Sequence, residues 1–389
     1  MPVEIERKNS PFLHYLVRSS HKHIHSWYVQ AWRECTSERL LLNPYNGCSV
    51  GCFYCYTRSF WGYFQDFHKR GSIFVFSDFD QAMKRDLEKS QIAFCGYLSP
   101  VADPLQSINN TYHLTEKTID VFLQFGLPVN VTTRMYVPPA VISRLAEHPY
   151  SYLQISILTL NDKLRRILSP QGADTSVLLR NIERARREGI FVIARIDPIL
   201  PYINDAPGEL ERLIGELGRR GVNHIVASVL DIPTSIYKFV LSKIRLYFGK
   251  SIYNKYLKLY KERFSYLNAS FFYRRQIFSL LRHLCQQNNL SFALCREFKK
   301  EKGQIMGLNA EFATSLNCEG INVPIYFRRQ NKFYPLSGCR GNCLTCRDNI
   351  CGIDKIAYLK SKQPANLTYS DFRHLQVERP VKKENKSFN

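Results

Sequence analysis

Cys48, Cys52 and Cys55 stand at C-x3-C-x2-C inside Asn43-Pro44-Tyr45-Asn46-Gly47-Cys48-Ser49-Val50-Gly51-Cys52-Phe53-Tyr54-Cys55-Tyr56. Three thiolates on one short loop can ligate three irons of a [4Fe–4S] cube and leave the fourth iron open. Gly47 and Gly51 suit a loop that needs unusual backbone angles. A zinc knuckle is the competing reading. Zinc takes four ligands, usually as C-x2-C pairs with a partner pair further on, and no such pair follows nearby. An open iron can take the amino and carboxylate groups of S-adenosylmethionine, and the radical chemistry that follows belongs to the cofactor.

A second cysteine set lies near the far end of the chain. Gly338-Cys339-Arg340-Gly341-Asn342-Cys343-Leu344-Thr345-Cys346 repeats the spacing, with Cys351 after it and Cys318 upstream. Thiols at this density are a metal signal. The expectation is a second metal site of Cys318, Cys339, Cys343, Cys346 and Cys351. An iron–sulfur cluster is favoured by the company of the first motif, and zinc holding a small loop-rich unit is the alternative.

The stretch Leu42-Asn43-Pro44-Tyr45 through Cys52-Phe53-Tyr54-Cys55-Tyr56 and Arg58 resembles the radical S-adenosylmethionine superfamily. Within it, the stretch is similar to the branch related to spore photoproduct lyase, often labelled DNA repair photolyase-like. Ala102-Asp103-Pro104-Leu105-Gln106, Val131-Thr132-Thr133-Arg134 and Asp197-Pro198-Ile199-Leu200-Pro201 follow in the order that branch has. The resemblance implies a [4Fe–4S] cluster on Cys48, Cys52 and Cys55, with S-adenosyl-L-methionine bound beside it. It places the Tyr54 backbone at adenine, Asp103 at the methionyl end, Arg134 at the cofactor carboxylate and Ser156 at the ribose. It also implies a reducing partner such as flavodoxin or ferredoxin. The chain departs from the branch twice. Ser169-Pro170 stands where the family carries Glu-Pro, and Ser99-Pro100-Val101-Ala102 has no thiol where spore photoproduct lyase has its hydrogen-donating cysteine.

Around these motifs the pattern alternates strand and helix. Strand-like runs occur at Ile92–Leu98, Pro128–Thr133, Tyr152–Leu158, Ile190–Ile196 and His224–Leu230, with helical runs between them. Two of the helices end at Gly189 and Gly221, where a left-handed C-terminal turn is allowed. Alternation of this kind argues for an α/β fold with a parallel sheet. Together with the resemblance it implies a partial (β/α)6 TIM-type barrel over residues 41–231, with functional groups at the C-terminal ends of its strands. Residues 1–40 read as an irregular lead-in, with His21, His23 and His25 alternating in a polar stretch. Residues 232–300 read as a basic, aromatic helical segment, 301–352 as the Cys-rich unit and 353–389 as a polar tail. Arg195, inside an apolar strand, needs a buried partner.

Fifty-four Lys and Arg against 33 Asp and Glu give a net charge of +21. That excess favours a polyanionic partner. Residues 232–290 hold eleven Lys and Arg, thirteen Phe and Tyr, and Glu262 as their one acid. Basic residues interleaved with aromatics suit unpaired or flipped-base nucleic acid, DNA or RNA. The N-terminus is charged where a signal peptide would be apolar, and no apolar run is long enough for a membrane span. A reducing cytoplasmic compartment is therefore expected. The sequence reads as a radical enzyme acting on a nucleic-acid base. Radical modification of a peptide or protein, and a non-enzymatic metal-stabilised nucleic-acid-binding protein, are the alternatives.

Overall fold

The computed structural model describes residues 3–5, 14–17, 24–25, 39–60, 63–264, 266–301, 304–341 and 350–351. Its main sheet contains seven parallel strands: β1 (Arg39–Leu42), β2 (Cys95–Leu98), β3 (Val129–Thr133), β4 (Tyr152–Ser156), β5 (Phe191–Ile199), β6 (His224–Val229) and β7 (Ser291–Leu294). They lie side by side in chain order, and Ile24–His25 pairs antiparallel on the outer edge of β1. No hydrogen-bonded ladder joins β7 back to β1 among the described residues. The molecule is thus a partial barrel with the order expected of a TIM-type fold.

Between the strands run α1 (Phe79–Lys89), α2 (Leu114–Gln124), α3 (Pro139–Ala146), α4 (Thr175–Arg187), α5 (Pro207–Arg219), α6 (Tyr237–Leu259) and α7 (Phe271–Gln287). Helix α4 turns Leu178, Leu179, Ile182 and Ala185 inward, a helical period that leaves its arginines outside. Every residue of β1, β4 and β6 is buried, as befits parallel strands covered on both faces. Alternation along β4 sends Leu153 and Ile155 one way and Tyr152, Gln154 and Ser156 the other. That second set faces the barrel interior, where Tyr152 and Gln154 meet Glu319.

The sequence pattern predicts six barrel strands, and the sheet has a seventh. Ser291–Leu294 pairs parallel with β6, so the 232–300 segment supplies a barrel strand as well as two helices and the hairpin Tyr260–Phe264 with Tyr266–Ala269. The lead-in, expected to be irregular, contributes Val3–Ile5 and His14–Val17 to a small sheet with Ile73–Phe76 and Tyr45–Asn46. His21, His23, Cys343, Cys346 and the 353–389 tail lie outside the described residues. No helix among the described residues is long and apolar enough to cross a membrane.

Candidate radical site and its comparisons

The loop carrying Cys48, Cys52 and Cys55 leaves the C-terminal end of β1. Its path depends on Gly47, whose φ is +96° and whose added Cβ would lie 3.0 Å from the Phe67 ring. The loop is clamped by one buried side chain. Gln106 accepts a hydrogen bond from the Ser49 N–H at 2.8 Å and donates to the Gly47 carbonyl at 3.0 Å. The Tyr45 hydroxyl donates to Asn109 Oδ1 at 2.7 Å and fixes the loop's other flank.

Each thiol has a polar neighbour. The Asp103 N–H donates to Cys48 Sγ at 3.3 Å, Cys52 Sγ lies 3.4 Å from Ser169 Oγ, and Cys55 Sγ lies 3.0 Å from Thr57 Oγ1. Burial pushes the Cys48 and Cys55 thiols above their ordinary range, so binding a metal group here releases protons. No three His, Cys, Asp or Glu side chains gather closely enough for a single ion among the described residues. A four-iron cube holds its ligands further apart than one ion does. The set fits such a cube in two further respects: the Asp103 N–H points at the Cys48 sulfur, and the buried Arg58 Nε has no hydrogen-bond partner.

Beside Cys52 opens a cleft lined by Arg134, Ser156, Thr159, Ser169 and Gly172. Arg134 and Ser156, predicted to hold the cofactor, therefore come together at the ends of β3 and β4. Burial opposes the charge on Arg134, but Tyr54, Cys52, Asp197 and Asp103 outweigh it and raise its basicity. The guanidinium donates to the Asp197 carbonyl at 2.8 Å. Tyr54 is buried in contact range of the same arginine. Asp103, expected at the methionyl end, is held by its own neighbours. Its carboxylate accepts from Thr133 Oγ1 and the Arg134 N–H, both at 2.7 Å, and from the Leu105 N–H at 3.0 Å. It ties the loop after β2 to the end of β3 and presents its backbone to Cys48.

Arg195 finds its buried partners in Gln154 at 2.8 Å and Asp197 at 2.6 Å, and Ser228 completes the Asp197 carboxylate at 2.5 Å. The Cys295 thiol, just after β7, lies close enough to Arg195 to raise its basicity, against the effect of burial. Sequence reasoning missed Asp197, Gln106 and Cys295 as parts of the site. Asp197 and Gln106 stand in noticed motifs without a given role, and Cys295 has no local motif at all. Ser169, noted only as a departure, is the residue that meets Cys52.

Of the second cysteine set, Cys318 sits at the opposite end of the barrel. His224 opens β6, and its Nε2 donates to the Cys318 carbonyl at 3.1 Å. The next residue, Glu319, reaches into the barrel floor. It takes Arg39 at 2.8 Å, Gln154 at 2.8 Å and the Tyr152 hydroxyl. Gly320 is obligatory here, because a Cβ would fall 2.4 Å from the His224 ring. Cys318 and Cys351 are buried, and the Ile325 N–H donates to Cys339 Sγ at 3.4 Å.

Residues 42–214 match the family described as Radical SAM superfamily. A protein of Pseudomonas phage M6 named Radical SAM Nalpha-GlyT isomerase is 27% identical over 82% of this chain and 68% of its own length. An uncharacterized protein, ORF301, of Acidianus two-tailed virus is 24% identical over 50% of this chain and 68% of its own. Among solved structures, spore photoproduct lyase complexed with dinucleoside spore photoproduct superposes with a TM-score of 0.54 at 14% identity, covering 73% of this chain and 82% of that one. At that identity the likeness shows the fold.

Proposed function

We propose that the chain is a radical enzyme of the radical S-adenosylmethionine superfamily, whose family model its residues 42–214 match, and that its substrate is a nucleic-acid base, rearranged or modified after loss of one hydrogen atom. The observation that carries this reading is the joining of a three-thiol loop and an arginine-lined cleft at one barrel end to a neighbouring segment with eleven cations and one acid. The phage relative's name, an isomerase, suggests the outcome. In an isomerisation a hydrogen atom leaves the substrate and one returns after rearrangement, so no net oxidant is needed.

Cys48, Cys52 and Cys55 would hold a [4Fe–4S] cluster, which would supply, from a donor such as flavodoxin or ferredoxin, the single electron that reductive cleavage of S-adenosylmethionine requires. The chain's own residues do the positioning. Gln106 holds the loop that carries Cys48, Cys52 and Cys55, through the Ser49 N–H and the Gly47 carbonyl. Arg134 offers a fixed positive charge for a carboxylate beside that centre, and Ser156 a hydroxyl. Arg195, held by Gln154 and Asp197, keeps a charged wall inside the barrel. The C-terminal cysteines are read as a second metal site of iron–sulfur or zinc type.

The test is anaerobic reconstitution, reduction and addition of S-adenosylmethionine, with 5′-deoxyadenosine as readout. Release is expected from the wild type and lost in the combined Cys48→Ala, Cys52→Ala, Cys55→Ala protein. Oligonucleotides are expected to stimulate it. Stimulation by peptides and not by nucleic acid would replace the substrate class.

A further inference from the structure

Helix α6 carries Lys238, Lys243, Arg245, Lys250, Lys255 and Lys258 and no acid. Phe239, Lys243 and Tyr247 recur every four residues and so share one face. The Lys243 ammonium lies 5.7 Å from the centre of each ring, a cation between two aromatics. The rings are 36% and 43% exposed, where an apolar core would have hidden them.

This face adjoins the cysteine loop. The Tyr247 ring lies 5.7 Å from that of Phe53, between Cys52 and Tyr54 in the chain, and the Arg58 guanidinium lies 4.7 Å over Phe239. Gly249, with φ +85°, bends the helix. Beyond the bend Lys255 sits 4.8 Å over Tyr202, an exposed ring on the loop after β5. One basic element thereby touches the loops after β1 and β5, at the end of the barrel where the cleft opens.

We propose that the Phe239–Lys243–Tyr247 face binds an unpaired stretch of nucleic acid, stacking bases on the two rings while the helix cations meet the phosphates, and so leads a base toward the radical site. The occupant follows from charge and shape together. Six cations without an acid call for a polyanion, and flat exposed rings alternating with a cation suit bases rather than carboxylates. The inference rests on the nucleic-acid reading above and adds the place, one face of α6 beside the cysteine loop.

The experiment uses the full chain and a fluorescein-labelled single-stranded oligodeoxynucleotide, read by anisotropy, with the matching duplex and polyglutamate as competitors. The wild type is expected to bind the single strand at least five-fold more tightly than the duplex. Phe239→Ala with Tyr247→Ala is expected to lose at least ten-fold in affinity, and Phe239→Tyr with Tyr247→Phe to keep it. Iron content and circular dichroism report that the variants fold. Undiminished affinity in the double alanine variant overturns the inference and leaves the nucleic-acid reading standing. Displacement by polyglutamate at equal charge overturns it in favour of an acidic protein segment. A wild type that binds no oligonucleotide removes both.

Discussion

Two hydrogen bonds from the single amide of Gln106 hold the backbone from which all three cluster thiols hang, at Ser49 N–H and the Gly47 carbonyl. Both bonds are buried, so truncation leaves a donor and an acceptor unsatisfied at about 1–3 kcal/mol each. Gln106→Ala is therefore expected to lower the iron bound per chain several-fold with the circular dichroism unchanged, while Gln106→Glu loses the donor to Gly47 and falls between. Full loading of Gln106→Ala, measured by iron and sulfide analysis, sinks the clamp. Two other buried side chains set opposite pH trends. Burial pushes Glu297 from 4.5 up to about 7, opposed by its partner Arg274. Between those values the fold holds more protons at Glu297 than the unfolded chain does, so this residue's contribution falls as pH rises. Burial drives His224 from 6.5 down to about 4. Between those values the unfolded chain holds more protons, so this contribution rises with pH. Each is worth up to about 3 kcal/mol. Measured as unfolding midpoint against pH, Glu297→Gln is expected to gain on the wild type as pH rises from 4.5 toward 7, and His224→Gln to gain as it falls from 6.5 toward 4. Profiles parallel to the wild type in both variants would contradict the assignment.

At the scale of elements, what the sequence made legible was whatever repeats locally. Strands β2 to β6 lie within a few residues of their predicted limits, and helices α4 and α5 end at the predicted glycines, because apolar period and terminal glycines act over short range. Strand β7 was hidden. Ser-Phe-Ala-Leu is too short to show a period, and it follows an aromatic-rich segment of different composition. The cysteine loop was readable because three ligands to one cube must be close in sequence. Asp103 stood out in its motif but not as a tie between strand ends, since its three donors come from elements whose packing no spacing reports. Glu319 had no signal: it is one acid in a long irregular stretch, yet it closes the barrel floor. The 314–323 segment lays it against Arg39, the first residue of β1, with both side chains almost fully buried. Removing one member of a buried pair costs about 3–5 kcal/mol, while replacing both by apolar residues costs far less. Glu319→Ala is thus expected to lower unfolding stability by that amount in urea. Arg39→Leu combined with Glu319→Leu should recover at least half of the loss. A double variant as weak as the single one would mean that the bonds to Tyr152 and Gln154, not the ion pair, hold the floor.

Across the whole molecule the two ends of the barrel differ in kind. The end built from strand starts is closed by Glu319 and its partners. The other end gathers the cysteine loop, the arginine-lined cleft and the basic face of α6. A net charge of +21 brings any polyanion to the surface, so affinity alone cannot separate attraction from recognition, but its salt dependence can. Each phosphate neutralised on a single strand contributes a slope of about −0.7 to log K against log salt. With four to six of the α6 cations engaged, the slope for a single-stranded oligonucleotide should be about −3 to −4, a loss of roughly 10²-fold between about 50 and 200 mM salt. The two kinds of side chain must then change different features of the same line. Lys238→Ala, Lys250→Ala or Lys258→Ala should flatten the slope by about 0.7 apiece, because each removes a phosphate contact. Phe239→Ala with Tyr247→Ala should leave the slope unchanged and lower the line throughout, because stacking releases no counterions. Ring variants that flatten the slope, or lysine variants that only lower the line, would show that the helix does not divide its work between phosphates and bases.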